Sequence, residues 1–274
     1  MGQKKQKIVH VLRQIGLLEA ADKLHLQWAV LRTKDDNAAF CREHPDFRPP
    51  PIAIMHDAYG QTSLRSYWNT GKLAAEFLAD LIRKHAPEAT RVMEWGCGSA
   101  RTLRHLPGLL PQGVEYFGSD YNPETVAWCR ANINGVSFIQ NDLSPPLPLE
   151  SSSIDVIYAI SVLTHLSVAQ QHAWLKELRR VLRPGGCLIL TTNGEQSAKV
   201  LLPHERAQLK ADGVYIRSGV EEGKRCFLSY HLQDYVTKQL FAGMTVREFI
   251  PGSSPTAIRL WGRTDVEQDT WVLQ

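Results

Sequence analysis

The 274-residue sequence contains no apolar run approaching the roughly 18 residues that a bilayer-spanning helix needs. Its first residues also lack the hydrophobic stretch of a secretory signal, so a soluble, cytoplasmic protein without stable membrane insertion is expected. Cysteine is scarce and unpatterned. The five residues at 41, 97, 129, 187 and 226 form no C-x-x-C pair and, being odd in number, no complete disulfide framework. Charge of one sign is nearly balanced by the other, at +3 overall, which argues against a polyanionic partner, so no nucleic acid is expected. Met1-Gly2-Gln-Lys-Lys-Gln6 begins like a myristoylation signal but has Gln6 where Ser or Thr is required, and no lipid anchor is expected.

What the chain does have is enough apolar material, 43% of residues, for one large domain with appendages. Ile8, Val9, Val11, Leu12, Ile15, Leu17, Leu18 and Ala21 recur at helical spacing beside Lys4, Lys5, Lys7 and Arg13. This reads as an amphipathic helix with a basic edge that packs on the domain, forms a lid or touches an acidic membrane surface. Pro45, Pro49, Pro50 and Pro51 interrupt the pattern, so residues 1–55 are taken as a helical accessory segment and 56–274 as the main domain. Ser63–His85 reads as a helix. Strand and helix patterns then alternate five times, with strands near Arg91, Val114, Val136, Ile154 and Cys187. That rhythm predicts an α/β fold, doubly wound, with helices on both faces of a mostly parallel sheet and ligands at the carboxyl ends of its strands. The rhythm lapses over 194–230, read as an insertion above the substrate site. A helix is expected over His231–Phe241, then strands over Met244–Ile250 and Asp269–Leu273, with Gly252, Pro255 and Gly262 between them.

Most functional information lies in Val92-Met-Glu-Trp-Gly-Cys-Gly-Ser-Ala-Arg101. An apolar strand runs into Gly96 and Gly98, and a helix is expected from Ala100 to Leu106. Glycines there let backbone approach a ligand that a Cβ would push away, and the first amides of a following helix suit an anion. A dinucleotide loop, G-x-G-x-x-G, would place glycine where this chain has Arg101. Glu94 at the strand end would repel a pyrophosphate and attract a cationic ligand. Alone, the loop also fits an ordinary strand-to-helix turn. Asp120 and Asp142, however, close the next two strand patterns, Asp120 about where a ribose-binding acid is expected. One such aspartate is commonly a helix cap or turn former; three acids at successive strand ends point to a nucleoside site.

These residues resemble class I S-adenosylmethionine (SAM)-dependent methyltransferases. Glu94-Trp-Gly96-Cys-Gly98-Ser-Ala100 is similar to that family's E/D-x-G-x-G-x-G loop, with Ala in the last place, and Leu182-Arg-Pro-Gly-Gly186 to the turn before its fifth strand. The likeness runs from about Tyr67 to Asn193. It implies a seven-stranded sheet ending in an antiparallel hairpin, with SAM as cofactor. Gly96 and Gly98 would border the methionine part, Asp120 the ribose and Asp142 the adenine, with Cys97, Tyr121, Asn141, Leu143, Ser161 and Tyr67 completing the cofactor set. Asp57-Ala-Tyr-Gly60 with Tyr67-Trp-Asn-Thr-Gly71 is similar to the start of bacterial small-molecule methyltransferases.

The expected reaction is methyl transfer to a hydroxyl of a polar small molecule, a sugar or secondary metabolite. His165, just past the fourth strand, is the candidate general base; a histidine there also serves as a cap or packing residue. Tyr59, Asn193, Tyr230 and His231 are candidates for the acceptor side, and Tyr59 and Tyr67, before the first strand, for covering the methionine end, aromatic faces being suited to a sulfonium. Ala159-Ile-Ser-Val-Leu163 lacks the N/D-P-P-F/Y signature of base-amine methylation, which disfavours nucleic-acid substrates. Ser161 and Asn193 stand where a catechol-type enzyme would carry acidic metal ligands, so no metal is expected. N- or C-methylation, an NAD-dependent oxidoreductase and a non-catalytic SAM-binding module remain as alternatives.

Overall fold

The computed structural model describes residues 3–257 and 268–274; Gly262, one of the expected hairpin glycines, lies outside them. Nine strands are present among the described residues: β1 Arg91–Trp95, β2 Glu115–Asp120, β3 Val136–Gln140, β4 Ile154–Ala159, β5 Leu182–Thr192, β6 Val214–Arg217, β7 Leu228–His231, β8 Val246–Ile250 and β9 Asp269–Leu273. Seven form one sheet in the order β3-β2-β1-β4-β5-β9-β8. The first five run parallel, and β9 is antiparallel to both β5 and β8.

The central strands are apolar at nearly every position because both faces are covered. Val92, Val156, Ile189 and Val272 point into a core shared with Ala74, Phe77 and Leu78. Their neighbours Met93, Ile157, Leu188 and Trp271 point the other way, against Trp174, Leu175 and Leu178. This period-two alternation onto two apolar layers is what a doubly wound sheet demands. The helix α4, Leu64–His85, covers the first layer, with Ser63 Oγ accepting from Ser66 N (3.2 Å) as its cap. The helix α5, Pro123–Asn132, adds Val126 and Cys129 to the first layer, and α6, Val168–Val181, covers the second.

Three expectations need correction. The N-terminal segment holds two helices, α1 Gln3–Gln14 and α2 Leu18–Glu43, because Gly16 turns left-handed between them (φ 71°). A further helix, α3 Ile52–Tyr59, precedes α4. Residues 194–230 are not irregular: α7, Pro203–Asp212, packs beside the antiparallel pair β6 and β7. The helix expected from His231 begins at Gln233 and continues as a π turn over Val236–Leu240, since Tyr230 and His231 close β7. Among the described residues no helix is long and apolar enough to cross a membrane.

Candidate functional site

β1, β2 and β4 end at one rim of the sheet. There the loop after β1 is folded by hydrogen bonds that its neighbours supply. Gly98 N donates to Asp120 Oδ2 (2.8 Å), Asn122 N donates to Asp120 Oδ1 (2.9 Å), and Cys97 N donates to Ser119 O (2.8 Å). The acid at the end of β2 thereby sets the glycine loop as well as facing the cavity. Gly96 and Gly98 both adopt positive φ. A Cβ on Gly96 would lie 2.4 Å from Val162 Cγ2, and one on Gly98 would lie 2.5 Å from Tyr59 Oη. The glycines thus make room first for protein: Val162 beyond β4 and Tyr59 of α3 lie directly over the loop.

The segment after the loop is not the expected α-helix. Ala100 is left-handed (φ 55°), and a 3-10 helix over Leu103–Gly108 contains Pro107, which cannot donate to an α-helical ladder. Arg101, read from sequence as a misfit, is accommodated. A Cβ on Gly71 of α4 would sit 2.1 Å from Arg101 O, so only glycine permits this contact. The guanidinium lies 5.0 Å from the Tyr59 ring centroid and donates from Nη1 to Thr70 Oγ1 (3.1 Å).

A cavity of about 520 Å³ opens over this rim, lined by Glu94, Gly96, Gly98, Asp120, Tyr121, Asn141, Asp142, Leu143, Ser161 and, on its other side, Tyr59, His165 and Asn193. Burial pushes Glu94 up to about 8, the Tyr158 hydroxyl (3.1 Å) opposing that rise by donating to its carboxylate. Burial also raises Asp120, against the pull of its amide donors. Such acids are costly in an empty crevice and suit a cationic ligand. Buried polar atoms around the cavity also lack partners among the described residues, namely Asn141 Oδ1, Arg101 Nε and Gln268 Oε1.

At the end of β4, Ser161 is held left-handed (φ 65°), with its amide donating to Thr191 Oγ1 (2.7 Å) and its hydroxyl accepting from Gln268 Nε2 (2.9 Å). His165 sits on the next turn. A carbonyl can only accept, so His165 Nδ1 carries the proton given to Phe227 O (2.7 Å), and Nε2 keeps its lone pair, 3.4 Å from Ser161 Oγ. Burial lowers His165 below the usual imidazole range.

Four predicted residues do not line the cavity. Cys97 is buried beneath the loop. Tyr67 is fully buried, donating to Ser99 O (2.7 Å), and supports the loop from behind. Tyr230 packs with Ala198, Leu201 and Leu209. His231 donates from Nε2 to the buried Gln171 Oε1 (3.1 Å), and Gln171 Nε2 in turn bonds Leu163 O, Leu166 O and Ser229 Oγ, so His231 fastens β7 to the turn bearing His165. Asp57, which opens the Asp57-Ala-Tyr-Gly60 motif, lines the cavity, and so do Gln61, Arg225 and Gln268, which were not singled out. These three come from segments distant in sequence, with no local pattern to mark them. Among the described residues, a grouping close enough to share a cation, His10, His204 and Glu205, lies where α1 meets α7, with Glu205 already bound by Arg217.

Residues 93–190 match the model of the methyltransferase domain family. Over those residues the chain carries a methyltransferase domain, and its sheet has the class I methyltransferase fold. A fatty-acid O-methyltransferase of Mycolicibacterium smegmatis is 31% identical to it over 182 residues, 65% of this chain and 61% of that protein. A ubiquinone biosynthesis O-methyltransferase of Cereibacter sphaeroides is 31% identical over 126 residues, 45% of this chain and 49% of that protein. The chain thus spans about half to three-fifths of the length of these relatives. A SAM-dependent methyltransferase structure from Methanosarcina mazei superposes on this methyltransferase domain with a TM-score of 0.53, at 21% identity, over 71% of this chain and 96% of that one, a likeness of fold.

Proposed function

We propose that the chain binds SAM and transfers its methyl group to a hydroxyl oxygen of a small-molecule acceptor, with His165 taking the hydroxyl proton as the O–CH3 bond forms and S-adenosylhomocysteine leaves. The observation that carries this reading is that Glu94, Asp120, Asp142 and a neutral histidine face one cavity. Asp120 would accept from ribose hydroxyls and Asp142 from the adenine amine, while Glu94, Asn141 and Gln268 hold polar atoms suited to the remaining polar edges. The cofactor supplies an electrophilic methyl; the protein's work is alignment, worth about 7 to 11 kcal/mol, and proton removal. His165 is prepared for the second task by its fixed tautomer and by burial that keeps Nε2 unprotonated near neutral pH.

The acceptor reading departs from the sugar-like molecule expected from sequence. Ile54, Val162, Leu166 and Leu228 line the cavity beside His165 and Arg225, which favours an acceptor with an apolar body next to its nucleophilic oxygen. The fatty-acid O-methyltransferase among the relatives acts, by its name, on such a molecule. Titration calorimetry tests the cofactor site: Asp120→Ala is expected to abolish tight SAM binding, and unchanged affinity would refute the assignment. Conversion of SAM to S-adenosylhomocysteine with a panel of amphiphilic alcohols tests the reaction; turnover of fatty acids alone, whose carboxylates carry no proton at neutral pH, would remove the base role of His165.

A further inference from the structure

The N-terminal arm, α1 with α2 as far as Lys34, turns two charged side chains inward and a set of large apolar ones outward. Beside the buried Leu18 its inner contacts are polar: Arg13 donates to Arg217 O (3.1 Å), Ser218 O (2.8 Å) and Cys226 O (2.8 Å). Asp22 accepts from Nη2 of the cavity residue Arg225, at 2.6 Å to each carboxylate oxygen. Arg13 follows Ile8 by five residues, about 140° of rotation on an α-helix, and Leu24 follows Asp22 by two, about 160° away. On the far side, Ile8, Val11 and Ile15 form one exposed row, and Leu17, Leu24, Trp28 and Leu31, spaced seven, four and three, form another. Leu24 is 67% exposed and Leu31 73%. Isolated exposed leucines are ordinary, but two apolar rows on consecutive helices form a surface that a soluble monomer rarely leaves to water.

Charge says what covers it. Residues 1–34 hold seven lysines and arginines against two acids, so the arm carries +5 of a chain total of +3 and the remaining residues carry −2. A second copy would bring an equally positive arm against this face, and such like charges repel. An anionic lipid surface answers both features, apolar rows entering the acyl boundary and basic groups meeting headgroups. Trp28, with the Arg32 guanidinium 4.5 Å from its ring centroid, is the side-chain type that favours that boundary.

We propose that the arm docks the protein on anionic lipid surfaces through Ile8, Val11, Leu24, Trp28 and Leu31. Through the Asp22–Arg225 pair the docked arm is tied to the cavity wall. This does not rest on the methyl-transfer reading, since a chain that binds vesicles but methylates nothing leaves it standing. The test is co-sedimentation of the full chain with vesicles of mixed phosphatidylglycerol and phosphatidylcholine, and with phosphatidylcholine alone. Binding is expected to the anionic vesicles, to weaken in high salt, and to fall at least about tenfold in Leu24→Ser/Trp28→Ser/Leu31→Ser, with circular dichroism unchanged. Should that variant fail to fold, Lys4→Glu/Lys5→Glu/Lys7→Glu carries the test and is expected to lose the anionic preference. No binding to anionic vesicles, equal binding by folded wild type and variant, or a dimer in light scattering that the triple-serine change dissociates would each overturn the proposal.

Discussion

At the scale of single residues, two buried titratable groups divide the labour of the site. His165 is lowered below 6.5 by burial, so as a base it is already competent at neutral pH, and the acid limb of the rate profile is expected below pH 6.5. His165→Ala should cut kcat at least about a hundredfold and remove that limb. A loss of tenfold or less, with the limb retained, leaves it a positioning residue. Glu94 behaves oppositely. Its folded pKa of about 8 exceeds its ordinary 4.5, so the folded state is favoured at low pH and that stability is lost as pH rises toward 8. Glu94→Gln should therefore stabilise the cofactor-free protein at pH 7 by about 2 kcal/mol in thermal melts while weakening SAM in calorimetry. The two readouts moving together would show that the acid serves the fold rather than the ligand.

At the scale of elements, what the sequence showed depended on how local the cause was. Strands β1, β4, β5 and β9 announced themselves because burial on both faces writes apolar runs, while β2, β3 and β8, nearer the sheet edges, showed through their place in the strand-and-helix rhythm. The 3-10 turn after the glycine loop did not, since it follows from a left-handed Ala100 and from the contact between Gly71 and Arg101, 30 residues apart. Tyr230 and His231 looked like pocket residues because they follow the insertion, yet their partners, Leu209 and Gln171, lie on other elements. Two substitutions test these joints. Gly71→Ala should destabilise by more than about 2 kcal/mol in denaturant unfolding, because the new methyl meets backbone that cannot yield. Arg217→Met leaves the buried Glu205 without its Nε donor (3.0 Å), and a loss of about 3 to 5 kcal/mol is expected in the same assay.

At the scale of the whole molecule, histidine burial sets the response to acid. His56 and His165 are lowered, His105 to about 4 and His231 to about 3, each chiefly by burial. A folded pKa below the unfolded one means that the unfolded chain binds the extra proton, so stability is complete above about pH 6.5 and is lost as pH falls below it. His105 and His231 contribute on the order of 2 kcal/mol each by pH 5. Raised carboxylates such as Glu94 act in the other direction from about pH 4.5 upward, set against four imidazoles below pH 6.5 and unopposed above it. Melting temperature of the cofactor-free protein is therefore expected to peak near pH 6.5; a flat profile from pH 5 to 8 would contradict the buried, neutral imidazoles. The fold class was legible at this scale, as alternating strands and helices, whereas the inverted polarity of the arm was not, because only its docking partner in the chain reveals which side faces inward.

The placement of β9 has a consequence for biosynthesis. Asp269–Leu273 is synthesised last of the nine strands but lies between β5 and β8, with every residue buried. During translation the β5 edge stays bare and β8 has no neighbour to pair with until Leu273 clears the ribosome. Nascent chains stalled before residue 269 should thus remain protease-sensitive and dependent on chaperones, while release of these few residues closes the sheet in one step.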